Sequence, residues 1–168
     1  LETNVCRKTE SLDQFGDIIM INAPESSDMA SWNHGWVQMQ LCKTFLLDVP
    51  NYVPNLELSL DISQFDLSQF NFSAKEELKP DICLYPPIRR GLSKPKDIVR
   101  MSEMPLLAIE ILSPRQGLLD IKEKFEVYFF LGIKSCWMVL PEIETVTVYS
   151  SMNQCKTFSR LHADSKVI

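Results

Sequence analysis

The sequence predicts an α/β (α+β) domain built on a mixed β-sheet, and three observations carry that expectation. Largely apolar runs at Ile82–Tyr85, Leu106–Ser113 and Ser135–Leu140 have the length and content of buried strands. Two longer segments, Met29–Leu47 and Gly117–Leu131, have the spacing or composition of helices. The order that results is helix, strands, helix, strands, for which a mixed sheet is the natural architecture.

The elements follow in turn. Ile18–Ile21 is a short apolar run ending at Asn22-Ala-Pro24, a first strand and turn. Ser26-Ser27-Asp28 offers N-cap oxygens. From Met29 to Leu47, Trp32, Trp36, Val37, Leu41 and Phe45 recur at helical spacing, which predicts an amphipathic helix. In Asn55–Ser63, Leu56, Leu58, Leu60 and Ile62 alternate with polar residues, as in a half-buried strand. Gln64–Lys79 is polar, with room for one helical turn over Ser73–Leu78. A strand opens near Asp81, and Pro114 ends the one that starts at Leu106. Gly132 is placed to stop the second helix. Pro141–Glu144 then turns the chain, so that Thr145–Tyr149 forms a hairpin with Ser135–Leu140. Gln154–Arg160 is expected to add an edge strand.

At 168 residues the chain is expected to form one domain, 1–168, that buries about two-thirds of its unfolded surface. Its hydrophobic content of 45% and charged content of 23% are ordinary for a globular protein. No run approaches the ~18 apolar residues that a membrane span requires. Leu1-Glu-Thr-Asn-Val-Cys6 has neither the basic start nor the apolar core of a secretory signal, and no initiator Met. Five scattered cysteines (Cys6, Cys42, Cys83, Cys136, Cys155), without a CxxC pair, read as free thiols in a reducing cytoplasm and argue against structural zinc. The net charge of -5 gives no general attraction for nucleic acid. Arg89, Arg90, Lys94 and Lys96 nevertheless cluster around Gly91 and Pro95 in a loop. That loop reads either as a phosphate-contacting element or as a solvated one.

Two acids stand out. Glu110 sits inside the apolar run Leu106–Leu112, where a carboxylate requires a partner, a proton or a metal. Asp81, after Pro80, opens the apolar stretch Ile82–Tyr85. Carboxylates on neighbouring strands form an oxygen-rich site suited to Mg2+. The bland readings stand beside this one: Glu110 as a structural acid against an Arg or Lys, and Asp81 as a strand initiator.

Pro80-Asp81, Glu110-Ile-Leu-Ser-Pro114, Asp120-x3-Lys124-x3-Tyr128, Gly132-Ile133 and Trp137 together resemble a restriction-endonuclease family abundant in cyanobacteria. That family is a branch of the PD-(D/E)xK nuclease superfamily. The resemblance runs from about Ile18 to Tyr149, and His34, at the head of the first long helix, also fits. It implies a restriction-endonuclease-like core, with a central mixed sheet flanked by helices. Asp81 and Glu110 would hold Mg2+ or Mn2+, with the main-chain carbonyl of Ile111 completing the protein ligands. The sequence departs from the superfamily pattern where Leu112 stands two residues after the Glu, in place of the expected lysine. In the branch that this chain resembles, the lysine has moved to the following helix. Lys124 is the best candidate, sharing a helix side with Asp120 and Tyr128, and Lys122 is the competitor.

The alternatives differ residue by residue. Lys124 reads also as the surface partner of Asp120, His34 as a helix-start or surface histidine rather than a general base, and Tyr128 as packing. Trp32, Trp36 and Trp137 read as core or interface. The resulting expectation is a Mg2+-dependent endonuclease acting on DNA, with Asp81, Glu110 and Lys124 as catalytic residues and the basic loop contacting nucleic acid. A homodimer is expected because double-strand cleavage demands two sites. Leu119, Val127, Phe130 and Leu131, on the helix side away from Leu118, Ile121, Phe125 and Phe129, give it weak support. A nuclease-like scaffold that binds without cutting, and a hydrolase of small phosphoesters, are the competing functions.

Overall fold

The computed structural model describes residues 10–12, 18–20, 31–70, 77–87, 97–113 and 116–159, the first two stretches by backbone alone. Its centre is a six-stranded mixed sheet. In chain order the strands are β1 (Glu10–Leu12), β2 (Ile18–Met20), β3 (Val53–Leu56), β4 (Leu60–Asp61), β5 (Glu77–Leu78), β6 (Ile82–Tyr85), β7 (Leu107–Ile111), β8 (Ser135–Leu140), β9 (Thr145–Ser151) and β10 (Gln154–Ser159). The helices are α1 (Trp32–Asp48) and α2 (Leu118–Phe130). The central sheet runs β10-β9-β8-β7-β6-β3, with only β7 and β8 parallel. A parallel pair requires a crossover connection, and α2 supplies it.

The two faces of the sheet carry separate apolar layers, as alternation along each strand dictates. Ile82, Leu84, Leu107, Ile109, Ile111 and Val139 meet Phe45 and Leu41 of α1. Cys83, Tyr85, Ala108, Cys136 and Met138 meet Ile121, Phe125, Val127 and Tyr128 of α2. With a helix on each face, every residue of β6 and β7 is buried, which is why these segments read as continuous apolar runs.

Several expectations need correction. Asn55–Ser63 is not one strand. Glu57 adopts a left-handed conformation (φ 47°) that breaks it, so Leu56 ends β3 and stays exposed while Leu60 and Ile62 are buried beyond the break. Glu77–Leu78 is extended, pairing with Leu60–Asp61, so no helical turn continues to Leu78; 71–76 lie outside the described residues. β2 pairs with β1, apart from the central sheet. The expected turn at Asn22–Pro24, the cap at Ser26–Asp28, and Cys6 lie outside the described residues. The described start of α1 is capped by Ser31, whose Oγ accepts the backbone N–H of His34 at 3.2 Å.

The expected stripe of α1 holds at Val37, Leu41 and Phe45 but not at the helix start. His34 and Phe45 are buried, whereas Trp32 is 85% exposed and Trp36 half-exposed. Trp137 alone of the three tryptophans joins the core, against Phe45 at 5.7 Å between ring centroids. Val127 and Leu131 of α2 are buried by this chain itself, which removes half of the sequence argument for a dimer. Phe130 is half-exposed and rests edge-on against Phe70.

The C-terminus of α2 ends as expected. Gly132 N–H donates to Phe129 C=O at 3.0 Å and Ile133 N–H to Tyr128 C=O at 3.1 Å, the paired bonds of a Schellman motif, with Gly132 at φ +91°. A Cβ on Gly132 meets nothing within 4 Å, so only the backbone conformation opposes a side chain there. Gly132→Ala is therefore expected to cost about 1–2 kcal/mol; a urea melt that shows no loss would remove this account of the helix stop.

Candidate metal and nuclease site

The antiparallel register of β6 and β7 creates the site. Ile82 pairs with Ile109, so the next step outward sets Asp81 against Glu110. Pro80, fully buried, leads into this position with its backbone angle already restricted. The carboxylate of Asp81 does not stand free. Its Oδ2 accepts the backbone N–H of Ile111 at 2.6 Å and faces His34 Nε2 at 3.2 Å. Gln38, one turn after His34, donates its side-chain amide to the main-chain oxygen of Asp81 at 2.9 Å, and Glu57 N–H reaches the same oxygen at 3.2 Å. Helix α1 thus grips the first acid by both its side chain and its backbone.

Glu110 is engaged by the other helix. It is 1% exposed, and both carboxylate oxygens are engaged by α2. Tyr128 OH donates to Oε1 at 2.5 Å, and Lys124 Nζ donates to Oε2 at 2.9 Å. Lys124 and Tyr128 are four residues apart and so share one helix side. Asp120, a further four residues back, turns to the helix start, where it accepts Gly117 N–H at 3.2 Å. Lys122 is exposed and lies off that side.

Burial pushes the Glu110 carboxyl above the usual carboxylate range, and the neighbouring Asp81 charge pushes in the same direction, against the pull of Lys124 and the Tyr128 hydrogen bond. Burial, then the Glu110 charge, holds the Tyr128 phenol well above its ordinary value, so it stays a donor. His34 is raised, chiefly by its hydrogen bond to Asp81 and against the effect of burial.

A divalent cation fits this arrangement. It would relieve the repulsion between Asp81 and the desolvated Glu110. Among the described residues no cluster of three or more His, Cys, Asp or Glu forms a cage. The donors would then be two carboxylates plus main-chain oxygen such as that of Ile111, a sparse oxygen set of the kind that Mg2+ accepts while keeping several waters.

Arg89, Arg90, Lys94 and Lys96 lie outside the described residues. Sequence reasoning missed Gln38, and it read His34 and Tyr128 as non-site residues. The available signal was that His34 and Gln38 extend the Leu41–Phe45 stripe at helical spacing.

The family model described as "Uma2: Putative restriction endonuclease" matches residues 25–164. The chain belongs to this family. Its fold has a solved counterpart, described as a "putative nuclease belonging to DUF820" from Anabaena variabilis, with a TM-score of 0.62 and 21% identity over 86% of this chain and 74% of that one. No curated protein matches. Membership in the Uma2 family accords with the restriction-endonuclease-like core and the mixed sheet seen here. Among the described residues no helix is long and apolar enough to cross a membrane.

Proposed function

We propose that this Uma2-family chain is a divalent-metal-dependent endonuclease that hydrolyses DNA phosphodiester bonds. The observation that carries this reading is the approach of Asp81, at the head of β6, to the Glu110–Ile111 end of β7, with Lys124 brought to Glu110 from α2. Asp81, Glu110 and the carbonyl of Ile111 would hold Mg2+ or Mn2+. When bound, the metal polarises the scissile phosphate and lowers the pKa of an attacking water.

The chain's own groups divide the remaining work. Tyr128 fixes one oxygen of Glu110, leaving the carboxylate little freedom to swing. Lys124, one-quarter exposed, donates to Glu110 and in this reading takes the place of the strand lysine absent at Leu112. Its ammonium is suited to stabilising charge that develops on the phosphoryl oxygens. The basic residues Arg89, Arg90, Lys94 and Lys96 would contact the DNA backbone. We carry the homodimer within the same reading, because cutting both strands requires two sites related by a twofold axis. The cytoplasmic location belongs here too, consistent with the buried free thiols Cys83 and Cys136.

The test is cleavage of plasmid and single-stranded DNA with Mg2+ or Mn2+. Lys124→Ala is expected to spare metal binding and lower the rate by about 10²–10³-fold. Unchanged cleavage would end the role of Lys124. A second reading, a nuclease-like scaffold that binds without cutting, draws on the net charge of -5 and on Leu112. It gains if the wild type neither cleaves nor binds divalent metal.

A further inference from the structure

We infer that His34 is a positioning residue for the first carboxylate, holding Asp81 so that only Oδ1 is offered to a metal. This inference rests on the metal site proposed above and names a residue outside its ligands and its lysine.

Among the described residues both polar contacts of the Asp81 carboxylate fall on Oδ2: the Ile111 N–H at 2.6 Å and His34 Nε2 at 3.2 Å. Among the described residues Oδ1 accepts no hydrogen bond. A carboxylate whose one oxygen is held from two sides cannot rotate freely, and its other oxygen is directed by default. The Ile111 contact alone leaves a hinge, because one hydrogen bond fixes a point rather than a plane. His34 supplies the second point, from a different element, helix α1.

The case that this is the purpose of the histidine comes from its surroundings. His34 is 6% exposed and occupies the stripe on which α1 elsewhere places Leu41 and Phe45. An apolar residue would satisfy that packing without burying polar atoms. The Nδ1 atom is buried and finds no hydrogen-bond partner among the described residues. The ring's side-chain polarity therefore serves one described contact, the one to Asp81. Gln38 reinforces it from the next turn by fixing the Asp81 backbone. Outer groups that orient a ligating carboxylate typically change metal affinity by 10–100-fold.

The experiment is Mn2+ titration, by electron paramagnetic resonance or calorimetry, on wild type, His34→Leu and His34→Gln. Leucine keeps the apolar volume and removes the donor; glutamine restores a donor. The expected result is Mn2+ affinity ~10–100-fold weaker in His34→Leu and partly recovered in His34→Gln. A merely structural histidine would change the melting temperature of the metal-free protein but leave the Mn2+ affinity of the folded variants alone. Should His34→Leu fail to fold, His34→Met, apolar and more adaptable in shape, takes its place. Wild-type affinity in the donor-less variant overturns the inference while leaving the metal site standing. No Mn2+ binding by the wild type removes the metal site itself, and the inference with it.

Discussion

Glu110→Gln is expected to lower metal-dependent cleavage by about 10³-fold or more while raising the melting temperature of the metal-free protein. The first effect follows if Glu110 is the carboxylate ligand of the proposed site, since a catalytic metal would supply several kcal/mol of transition-state stabilisation. The second follows from burial. Glu110 is 1% exposed, beside another acid, and its carboxyl is raised by that burial despite Lys124. A group whose folded pKa exceeds its unfolded one adds stability fully below the unfolded value of about 4.3 and loses it as pH rises through the folded value. At neutral pH the ionised carboxylate is thus a liability to the folded state, and a neutral amide of the same shape relieves it. Tyr128 OH still finds an acceptor in the amide, and Lys124, already one-quarter exposed, can extend toward water.

Each 1 kcal/mol relieved appears as ~2–4 °C in a chain of this size. The gain should shrink toward zero as pH falls below about 4, where the wild-type carboxyl is protonated in both states. Melting curves of both proteins in EDTA, from pH 4 to 8, measure it. A glutamine variant that melts lower than wild type at pH 7 would show that the Lys124 pair outweighs the desolvation of Glu110. Loss of activity together with a gain in stability is the behaviour of a residue kept for chemistry at the expense of the fold.

Phe125→Ala is expected to destabilise by about 3–5 kcal/mol, a large share of the 5–15 kcal/mol that holds a typical domain together. Phe125 is fully buried where α2 meets the sheet. Its ring stands edge-on to Tyr149 of β9 at 5.3 Å and tilted against Tyr128 at 6.2 Å. Truncation would leave a cavity among side chains fixed by the sheet on one side and the helix backbone on the other, so little can collapse into it. The melting temperature should fall by ~6–20 °C. The loss also reaches the site, since Tyr128 loses a packing neighbour while its hydroxyl must stay on Glu110. Urea unfolding with an unchanged slope checks the figure. A loss below 1 kcal/mol would mean that this part of the core is loosely packed.

Much of the fold was legible from local pattern. Ser135–Leu140 and the ends of α2 fall where apolar content, Gly117 and Gly132 put them. β7 was readable because burial on both faces leaves few polar residues to mislead. Patterns failed where one residue's conformation or one large side chain dominated. The alternation of Asn55–Ser63 ran through Glu57, whose left-handed backbone no periodicity reveals. Val37, Leu41 and Phe45 of the predicted face of α1 do pack on the sheet, but Trp32 and Trp36 drew that face toward themselves at the helix start, where His34 is buried instead.

For the candidate site, the sequence by itself determined which residues were chemically conspicuous: an acid inside an apolar strand, an acid after a proline, and a leucine where a lysine was expected. Tertiary structure decided what those residues touch. Lys124 rather than Lys122 meets Glu110, Tyr128 shares that carboxylate, Asp120 turns away to cap its own helix, and His34 and Gln38 arrive at Asp81 from helix α1. The physical reason lies in the range of the information. Periodicities of 2 and 3.6 residues record which side of an element is buried, a local property. The pairing register and the rotation of a helix over a sheet are set by packing between elements distant in sequence, and hydrogen bonds of 2.5–3.2 Å depend on both.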